Sequence, residues 1–335
     1  MAESELALIW ALLIAFAVFA YVCLDGFDLG VGILFPFVRD RAARDRMINT
    51  VAPVWDGNET WLVLGGGGLY AAFPLAYSIL MPALYAPLIA MLLGLVFRGV
   101  ALEFRFRSRR RRGWWDFAFF AGSLSAALCQ GLALGAVVQG ISVSGRAYAG
   151  GWFDWLTPFS LLTAASVAIG YALLGTTWLI WKTEGALQDR MFRYALPLAA
   201  AMLAAIGAVS LWTPFIDPEI ERRWFSWSTL VFVWPVPALV LAVGFGFVLA
   251  VLARREALPY LLTLAWFLLS YVGLGISLFP SIVPPDVTIY QAAAPDDSLG
   301  FLLVGAGIML PIILGYTGYA YWVFRGKVTG QEGYH

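Results

Sequence analysis

The sequence predicts an all-α polytopic membrane protein, and two observations indicate this class: the composition and the long apolar runs. Of the 335 residues, 61% are hydrophobic and only 13% are charged, and the mean hydropathy is +0.80. A soluble domain is about half apolar and about a quarter charged, so a soluble fold is excluded. We expect one membrane domain over residues 1–335, because the loops between the apolar runs are too short to build a core of their own.

Nine apolar runs approach the length of about 20 residues that a helix needs to cross a bilayer. Between the second and third runs, the proline-containing sequence 73–82 leaves room for only a tight turn. The predicted spans are 6–35, 55–76, 79–104, 114–138, 155–181, 194–212, 230–251, 260–279 and 299–324.

The distribution of arginine and lysine predicts the orientation of these spans. Nearly all loop arginines and lysines follow odd-numbered spans, and the exceptions are Arg146, Arg222 and Arg223. The positive-inside rule then places the N-terminus outside and the C-terminus in the cytoplasm. The basic run from Arg105 to Arg112 directly follows a span, so it is interpreted as a topology anchor beside lipid, and no nucleic-acid partner is expected.

Cysteine and histidine usage argues against a metal or haem site held by this chain. Cys23 and Cys129 lie in apolar runs, with no spacing typical of a metal site or a disulfide framework. His335, the single histidine, is the last residue, whereas axial haem ligation inside a bundle normally needs histidines within the spans. We therefore expect no metal ion and no haem bound by this chain alone.

Four carboxylates in or beside the first two spans are the candidates for chemistry. Asp25 and Asp28 follow an unbroken apolar run and lie three residues apart, hence on one helix face. Asp56 and Glu59 stand where the loop enters the second span, on the same side of the membrane. Acidic residues at membrane depth are costly and usually functional. We predict that these four residues belong to a proton pathway.

Structural explanations for the same residues stay open. Asp25 and Asp28 are also explained if they cap a helix or pair with a neighbouring helix through Arg98. The Asp-x-x-Glu spacing that begins at Asp56 also fits a capping box, in which the aspartate accepts backbone N–H groups. Arg98, followed by Glu103, is a candidate for a structural ion pair with an inward-facing carboxylate, or else for snorkelling to the interface.

The second span contains four consecutive glycines. Glycine lowers helix stability but allows the backbones of two helices to approach closely, which is a recurrent packing device in membranes. We therefore expect this segment to pack tightly against another helix. The residues are Gly65, Gly66, Gly67 and Gly68.

Around these residues the chain resembles subunit II of the cytochrome bd-type quinol oxidases. The resemblance covers the first three spans, whereas the later spans match in hydropathy and order. The compact length of the chain and the residues of its motifs resemble the cyanide-insensitive branch of the family. The motifs are Asp25-Gly-Phe-Asp-Leu-Gly-Val-Gly, Met47-Ile-Asn-Thr-Val-Ala-Pro-Val-Trp-Asp-Gly-Asn-Glu-Thr-Trp-Leu-Val, Gly-Gly-Leu-Tyr-Ala-Ala-Phe-Pro74 and Phe97-Arg-Gly-Val-Ala-Leu-Glu-Phe-Arg105.

The resemblance implies a heterodimer in the bacterial cytoplasmic (inner) membrane. Subunit I would carry two haems b and one haem d, oxidise quinol and reduce oxygen to water. Subunit II would bind no haem, support assembly, offer a surface for lipid or a bound quinone, and take part in proton uptake from the cytoplasm. The resemblance implies Asp56 as the best candidate for the path by which these protons enter. Other expected partners are quinol, membrane lipids and a small single-span accessory subunit.

Two rival functions stay open at this point. A secondary transporter also uses intramembrane carboxylates, for ion coupling between inverted repeats, but nine spans without an evident internal repeat weigh against it. A scaffold without a conducting role would use every carboxylate as a cap or in an ion pair.

Overall fold

The computed structural model describes residues 4–108, 110–227 and 229–328, and most of these residues are helical. The helices are α1 (Glu5–Leu34), α2 (Arg41–Val51), α3 (Trp55–Ala72), α4 (Pro74–Ala83), α5 (Tyr85–Phe104), α6 (Arg112–Gln139), α7 (Pro158–Lys182), α8 (Ala186–Trp212), α9 (Pro218–Phe225), α10 (Leu230–Val233), α11 (Pro235–Leu252), α12 (Leu258–Leu278), α13 (Ile289–Ala292) and α14 (Asp296–Val323). Two small antiparallel hairpins pair β1 (Val143–Ser144) with β2 (Ala147–Tyr148), and β3 (Ser281–Val283) with β4 (Val287–Thr288).

The predicted all-α polytopic class is confirmed. Among the described residues, eight helices are long and apolar enough to cross a membrane, with α10 and α11 forming one of them. The second predicted span is α3, which has 18 residues and packs along α1. Its first turns carry Asp56, Asn58 and Glu59, which lower its hydropathy, and α3 is not among the eight. By length and composition, the described residues therefore give eight spans where the sequence predicted nine.

The third predicted span is wrong in its first part. The prediction joined residues 79–104 in one helix, but Pro74 begins the separate helix α4, which ends at Ala83, and α5 begins only at Tyr85. Pro74 occupies the first helical position, where proline costs nothing. Pro82 lies in the last turn of α4 and Pro87 in the first turn of α5, and each lacks a backbone donor. The chain therefore turns twice here.

The connections between the long helices gather at two ends of the bundle. One end, called here the arginine end, holds α2, the α5–α6, α7–α8 and α11–α12 connections, and the residues after α14. The opposite end, called the hairpin end, holds α4, α9, α13 and both β-hairpins. At the hairpin end the Ser4 hydroxyl donates to Asp296, and the Trp10 indole donates to the Leu299 carbonyl, so α14 lies beside the start of α1.

Two helices cross at backbone distance at the centre of the bundle. α1 meets α7 at Gly30 and Gly175, where a Cβ atom built on Gly30 would lie 1.8 Å from the carbonyl oxygen of Tyr171. Beside this crossing, the rings of Phe27 and Trp178 stack with their centroids 4.0 Å apart. The two helices are thus held in contact at backbone distance, and this fixes the depth of the polar residues on α1.

An ion network fastens the connections at the arginine end. Arg105 is buried and donates to Asp116 at 2.5 Å and to Asp45 at 2.6 Å, while Arg44 pairs with Asp116 at 2.9 Å. Asp45 lies on α2 and Asp116 on α6, so the network ties α2 to the end of α5 and the start of α6. It also holds the α2–α3 turn at the arginine end of the bundle.

The C-terminal helix α14 is held mainly by its ends. Only Leu299 of α14 is buried within the chain. Beyond the helix, Lys182 donates to the Phe324 carbonyl at 2.6 Å, and Lys327 pairs with Glu256 at 2.7 Å. Hydrogen bonds from Lys327 and then from Gln188 lower the pKa of the Glu256 carboxyl below its ordinary value.

Candidate functional site

A buried polar cluster lies between α1, α3 and α5 towards the arginine end. It is called here the buried ion cluster and consists of Asp25, Asp28, Asn58, Glu59 and Arg98. Four of these residues are at most 1% exposed, and the Glu59 side chain is 26% exposed. The close α1–α7 crossing sets the depth of the two aspartates, which lie on one face of α1. Three helices that are distant in sequence therefore each contribute a charged or amide group to one site.

Arg98 is the centre of the cluster. Its guanidinium donates to Asp25 Oδ1 at 2.6 Å and also to Glu59 Oε1. The guanidinium carbon lies 5.9 Å from the centroid of the Trp55 ring, so an aromatic face covers one side of the cation. Arg98 thus points inward to two carboxylates and does not snorkel to the interface.

Asp28 lies beside this pair without a cation of its own. Its Oδ2 accepts a hydrogen bond of 2.7 Å from the Asn58 amide, which also donates to the Leu24 carbonyl at 3.1 Å. The Tyr321 hydroxyl donates to Asn58 Oδ1 at 2.9 Å and links α14 to the cluster. Within the described chain, Asp25 Oδ2 and Asp28 Oδ1 have no hydrogen-bond partner, which leaves one free acceptor on each aspartate.

Asp56 lies outside the cluster, in the first turn of α3, and its side chain is exposed. The capping-box interpretation is wrong, because Asp56 lies within the first turn of α3 and the N-cap is Val54, whose side chain cannot accept a hydrogen bond. Asp56 and Glu59 are three residues apart on one face of α3. Of the two, only the partly exposed Glu59 contacts Arg98.

Glu103, the other structural ion-pair candidate, lies apart from the cluster. It is exposed and takes part in none of the salt bridges among the described residues. Glu103 lies five positions after Arg98, and this spacing turns the two side chains to different faces of α5. Arg98 alone of the two candidates has an ion pair.

The four glycines of α3 form two pairs that differ in their neighbours. A Cβ atom on Gly65 would meet Val18 at 3.3 Å, and one on Gly68 would meet Ile14 at 3.1 Å, so these two glycines face α1. Gly66 and Gly67 are exposed, and an added Cβ there would meet nothing within 4 Å. Gly65 and Gly68 therefore face side chains of α1, whereas Gly66 and Gly67 point away from this chain, because successive helix residues point in different directions.

A hydrogen-bonded chain beside the cluster was missed at the sequence level. The Tyr171 hydroxyl donates to Gln130 at 2.5 Å, and Gln130 donates to the Tyr21 hydroxyl at 2.9 Å, which lies next to Asp25. The lone Gln130 in an apolar span is the signal that could have revealed it, because polar residues at membrane depth seek partners. Tyr321 gave no such signal, since tyrosines near span ends are common.

No group of three or more histidine, cysteine, aspartate or glutamate side chains in the part of the chain that the structure describes is arranged to hold a metal ion. His335, the single histidine, lies outside the described residues. The arrangement at hand is therefore one of acids, an amide and phenols around a single guanidinium. Such groups can hold and pass protons.

Fold and site together define a polytopic α-helical membrane protein with a buried cluster of carboxylates around one arginine. The chain belongs to the cytochrome bd terminal oxidase subunit II family, whose model matches residues 6–324. It is thus a subunit of an oxidoreductase complex, and the family resemblance of the first three spans is confirmed.

Curated relatives match the chain along nearly its full length. It is 30% identical to the cytochrome bd-I ubiquinol oxidase subunit 2 of Escherichia coli (strain K12), covering 98% of this chain and 96% of that protein. It is 28% identical to the cytochrome bd ubiquinol oxidase subunit 2 of Bacillus subtilis (strain 168), covering 97% of each. A solved structure, the bd oxidase from Geobacillus thermodenitrificans, shares the fold with a TM-score of 0.75 at 17% identity, covering 96% of this chain and 99% of that chain.

Proposed function

We propose that this chain is the haem-free subunit II of a bd-type quinol oxidase, with one membrane domain over residues 1–335. In this proposal it supports assembly of the haem-bearing subunit I and takes part in proton uptake from the cytoplasm during reduction of oxygen to water. The buried ion cluster is the observation that carries the proton role. Because the chain belongs to an oxidase subunit family, we prefer this function to that of a secondary transporter.

The charge balance of the cluster supports a proton role. Three carboxylates, those of Asp25, Asp28 and Glu59, surround the one guanidinium of Arg98. With every group ionised, the cluster would carry an uncompensated negative charge at membrane depth, where charge is costly. The cluster is therefore stabilised when it holds protons, and the free acceptor atoms of the two aspartates offer places for them.

The position of Asp56 supports a role as the residue through which protons enter the buried ion cluster. Its exposed carboxylate precedes the partly exposed Glu59 on one face of α3, and Glu59 contacts Arg98. The loop arginines favour the cytoplasm as the side of the arginine end. Oxygen reduction consumes protons at a buried site, and a hydrocarbon core conducts none, so ionisable side chains and water must carry them.

The exposed faces of α3 and α14 support the assembly role. Val63, Gly66, Gly67 and Tyr70 line an open face of α3, and only Leu299 of α14 is buried. In the bacterial inner membrane, the haem-bearing subunit, a small accessory subunit or lipids would cover these faces. The two haems b and haem d, together with quinol oxidation, are assigned to subunit I, while a quinone or lipid remains a candidate ligand of this surface.

Asp56→Asn is expected to slow quinol oxidation severalfold without loss of haem. The amide keeps the size and hydrogen-bonding capacity of the side chain but cannot exchange a proton. The measurement is oxygen consumption per haem in the purified complex. Asp56→Glu should retain more activity, because a carboxylate survives at a slightly different reach.

Glu103→Gln is the matched control, since Glu103 is an exposed carboxylate of α5 with no ion pair among the described residues, and it should leave turnover unchanged. Poor assembly of Asp56→Asn would indicate a structural role instead. Full turnover per haem in Asp56→Asn would eliminate Asp56 from the path, and Asp28 would then be the next residue to test.

The haem-free assignment predicts that the chain produced without its partner shows no Soret absorption. The reason is that its single histidine, His335, is terminal, so the spans offer no axial imidazole. The control is the complex made by coexpression with subunit I, which should show the full haem spectrum. A stoichiometric haem spectrum from the isolated chain would overturn the assignment.

A further inference from the structure

A cavity at the arginine end gathers three arginines and two aromatic rings. Its volume is about 530 Å³, and it is lined by Phe37, Arg39, Arg190, Arg193 and Tyr194. The first two residues belong to the connection after α1. The other three lie on α8, where Arg190 and Arg193 are three residues apart and share a face. Two segments distant in sequence therefore converge on one concave basic surface.

The charge in this cavity is not neutralised by the protein. Its lining contains no carboxylate. Arg190 makes only a long hydrogen bond of 3.4 Å to the Phe37 carbonyl, and Arg39 and Arg193 have no hydrogen bond or salt bridge with other described residues. By contrast, carboxylates of this chain pair with several other arginines at the same end, namely Arg44, Arg105, Arg112 and Arg254.

We propose that this cavity binds the phosphate headgroup of an anionic phospholipid. Three guanidinium groups that repel one another are stabilised by a shared anion, and the planar guanidinium fork matches the oxygens of a phosphate. Basic pockets between membrane helices at such an end suit anionic headgroups. The Phe37 side chain, 61% exposed, and Tyr194 give the cavity an amphipathic rim that fits the glycerol and acyl region.

A topology anchor alone does not account for this arrangement. The positive-inside rule requires only that arginines lie on one side of the membrane, and it places no demand on their mutual distance. Convergence of arginines from two segments around a concave space, with aromatic side chains at its rim, is what a headgroup requires. The inference is independent of the proton role of the buried ion cluster, since the cavity shares no residue with it.

The test measures lipid binding to the purified oxidase complex after delipidation in detergent. Native mass spectrometry would follow titration with phosphatidylglycerol, with phosphatidylcholine or with sodium phosphate. Arg190→Gln/Arg193→Gln should bind phosphatidylglycerol at least about tenfold more weakly than the unmodified complex, since both arginines line the cavity and an arginine beside an anionic headgroup contributes about fivefold to affinity. The matched control is Arg107→Gln/Arg110→Gln, which removes two exposed arginines of the same end outside the cavity and should bind normally.

Each outcome decides the proposal. Equal loss in the cavity variant and the control, or no loss in either, overturns it. Equal binding of phosphatidylcholine shows that the negative headgroup is not recognised, and displacement of the lipid by an equal concentration of free phosphate assigns the site to a soluble anion. If the double variant does not assemble, Arg39→Gln provides the test instead. Arg39 lies in the connection after α1, outside any helix, so its replacement should not disturb the fold. It should weaken phosphatidylglycerol binding about fivefold, and unchanged binding overturns the site.

Discussion

Arg98→Gln should leave almost no assembled oxidase in the membrane. Arg98 is fully buried and carries the only positive charge of the buried ion cluster, where it contacts Asp25 and Glu59. Removing one partner of a buried ion pair costs about 3–5 kcal/mol, because the remaining charges stay buried without compensation. That cost is a large part of the stability of a folded domain. The measurement is the amount of haem-bearing complex recovered per cell, together with its thermal unfolding midpoint.

Two further variants separate lost charge from lost shape. Arg98→Gln/Asp25→Asn should recover part of the assembly, since it removes the acid that is left unpaired. Arg107→Gln, an exposed arginine near the end of the same helix, should assemble normally and serves as the control. Normal yield and an unchanged unfolding midpoint for Arg98→Gln would show that the cluster does not depend on its cation.

Gly30→Val should prevent accumulation of the folded chain altogether. A Cβ atom at this position would lie 1.8 Å from the carbonyl oxygen of Tyr171, a backbone atom that cannot rotate away. α1 and α7 would have to separate, and that separation would undo the stacked pair of Phe27 and Trp178. Overpacking of a core typically costs about 1–3 kcal/mol, and we expect a higher cost here because the added side chain would meet backbone atoms of α7. Protein recovered in the membrane fraction gives the result.

Gly207→Val is the matched control for this prediction. Gly207 also lies within a long helix, α8, but an added Cβ there meets nothing within 4 Å. We expect Gly207→Val to accumulate normally and Gly30→Ala to be already impaired. If Gly30→Val accumulates as well as Gly207→Val, the α1–α7 crossing is looser than the backbone distance indicates.

Hydropathy predicted most of the fold because a bilayer allows few solutions. Backbone groups in hydrocarbon must bond within their own segment, so a long apolar run has to be helical. Hydropathy did not predict the break between α4 and α5, because the sequence is apolar on both sides of Leu84. There the local chemistry of proline, and not apolarity, ended one helix and began the next.

The candidate site was only partly accessible from the sequence. Acidic residues in an apolar run are conspicuous, which is why Asp25, Asp28 and Glu59 were selected together with Arg98. Asp56 belongs to the same motif, yet it is exposed in the first turn of α3, whereas Asn58 and Glu59 turn towards Asp28 and Arg98. A shift of one residue rotates a helical side chain by about 100°, and sequence patterns do not fix helix ends so finely.

By itself, the sequence determined the membrane class, the order of the spans and the residue types that are costly to bury, because these depend on transfer of single groups from water to hydrocarbon. Only the tertiary structure decided which of those groups meet. Arg98 and Asp25 are 73 residues apart, and their contact depends on the α1–α7 crossing at Gly30 and on packing of α1 against α3, which no local pattern encodes. The arginine cavity arose in the same way, from two segments brought side by side.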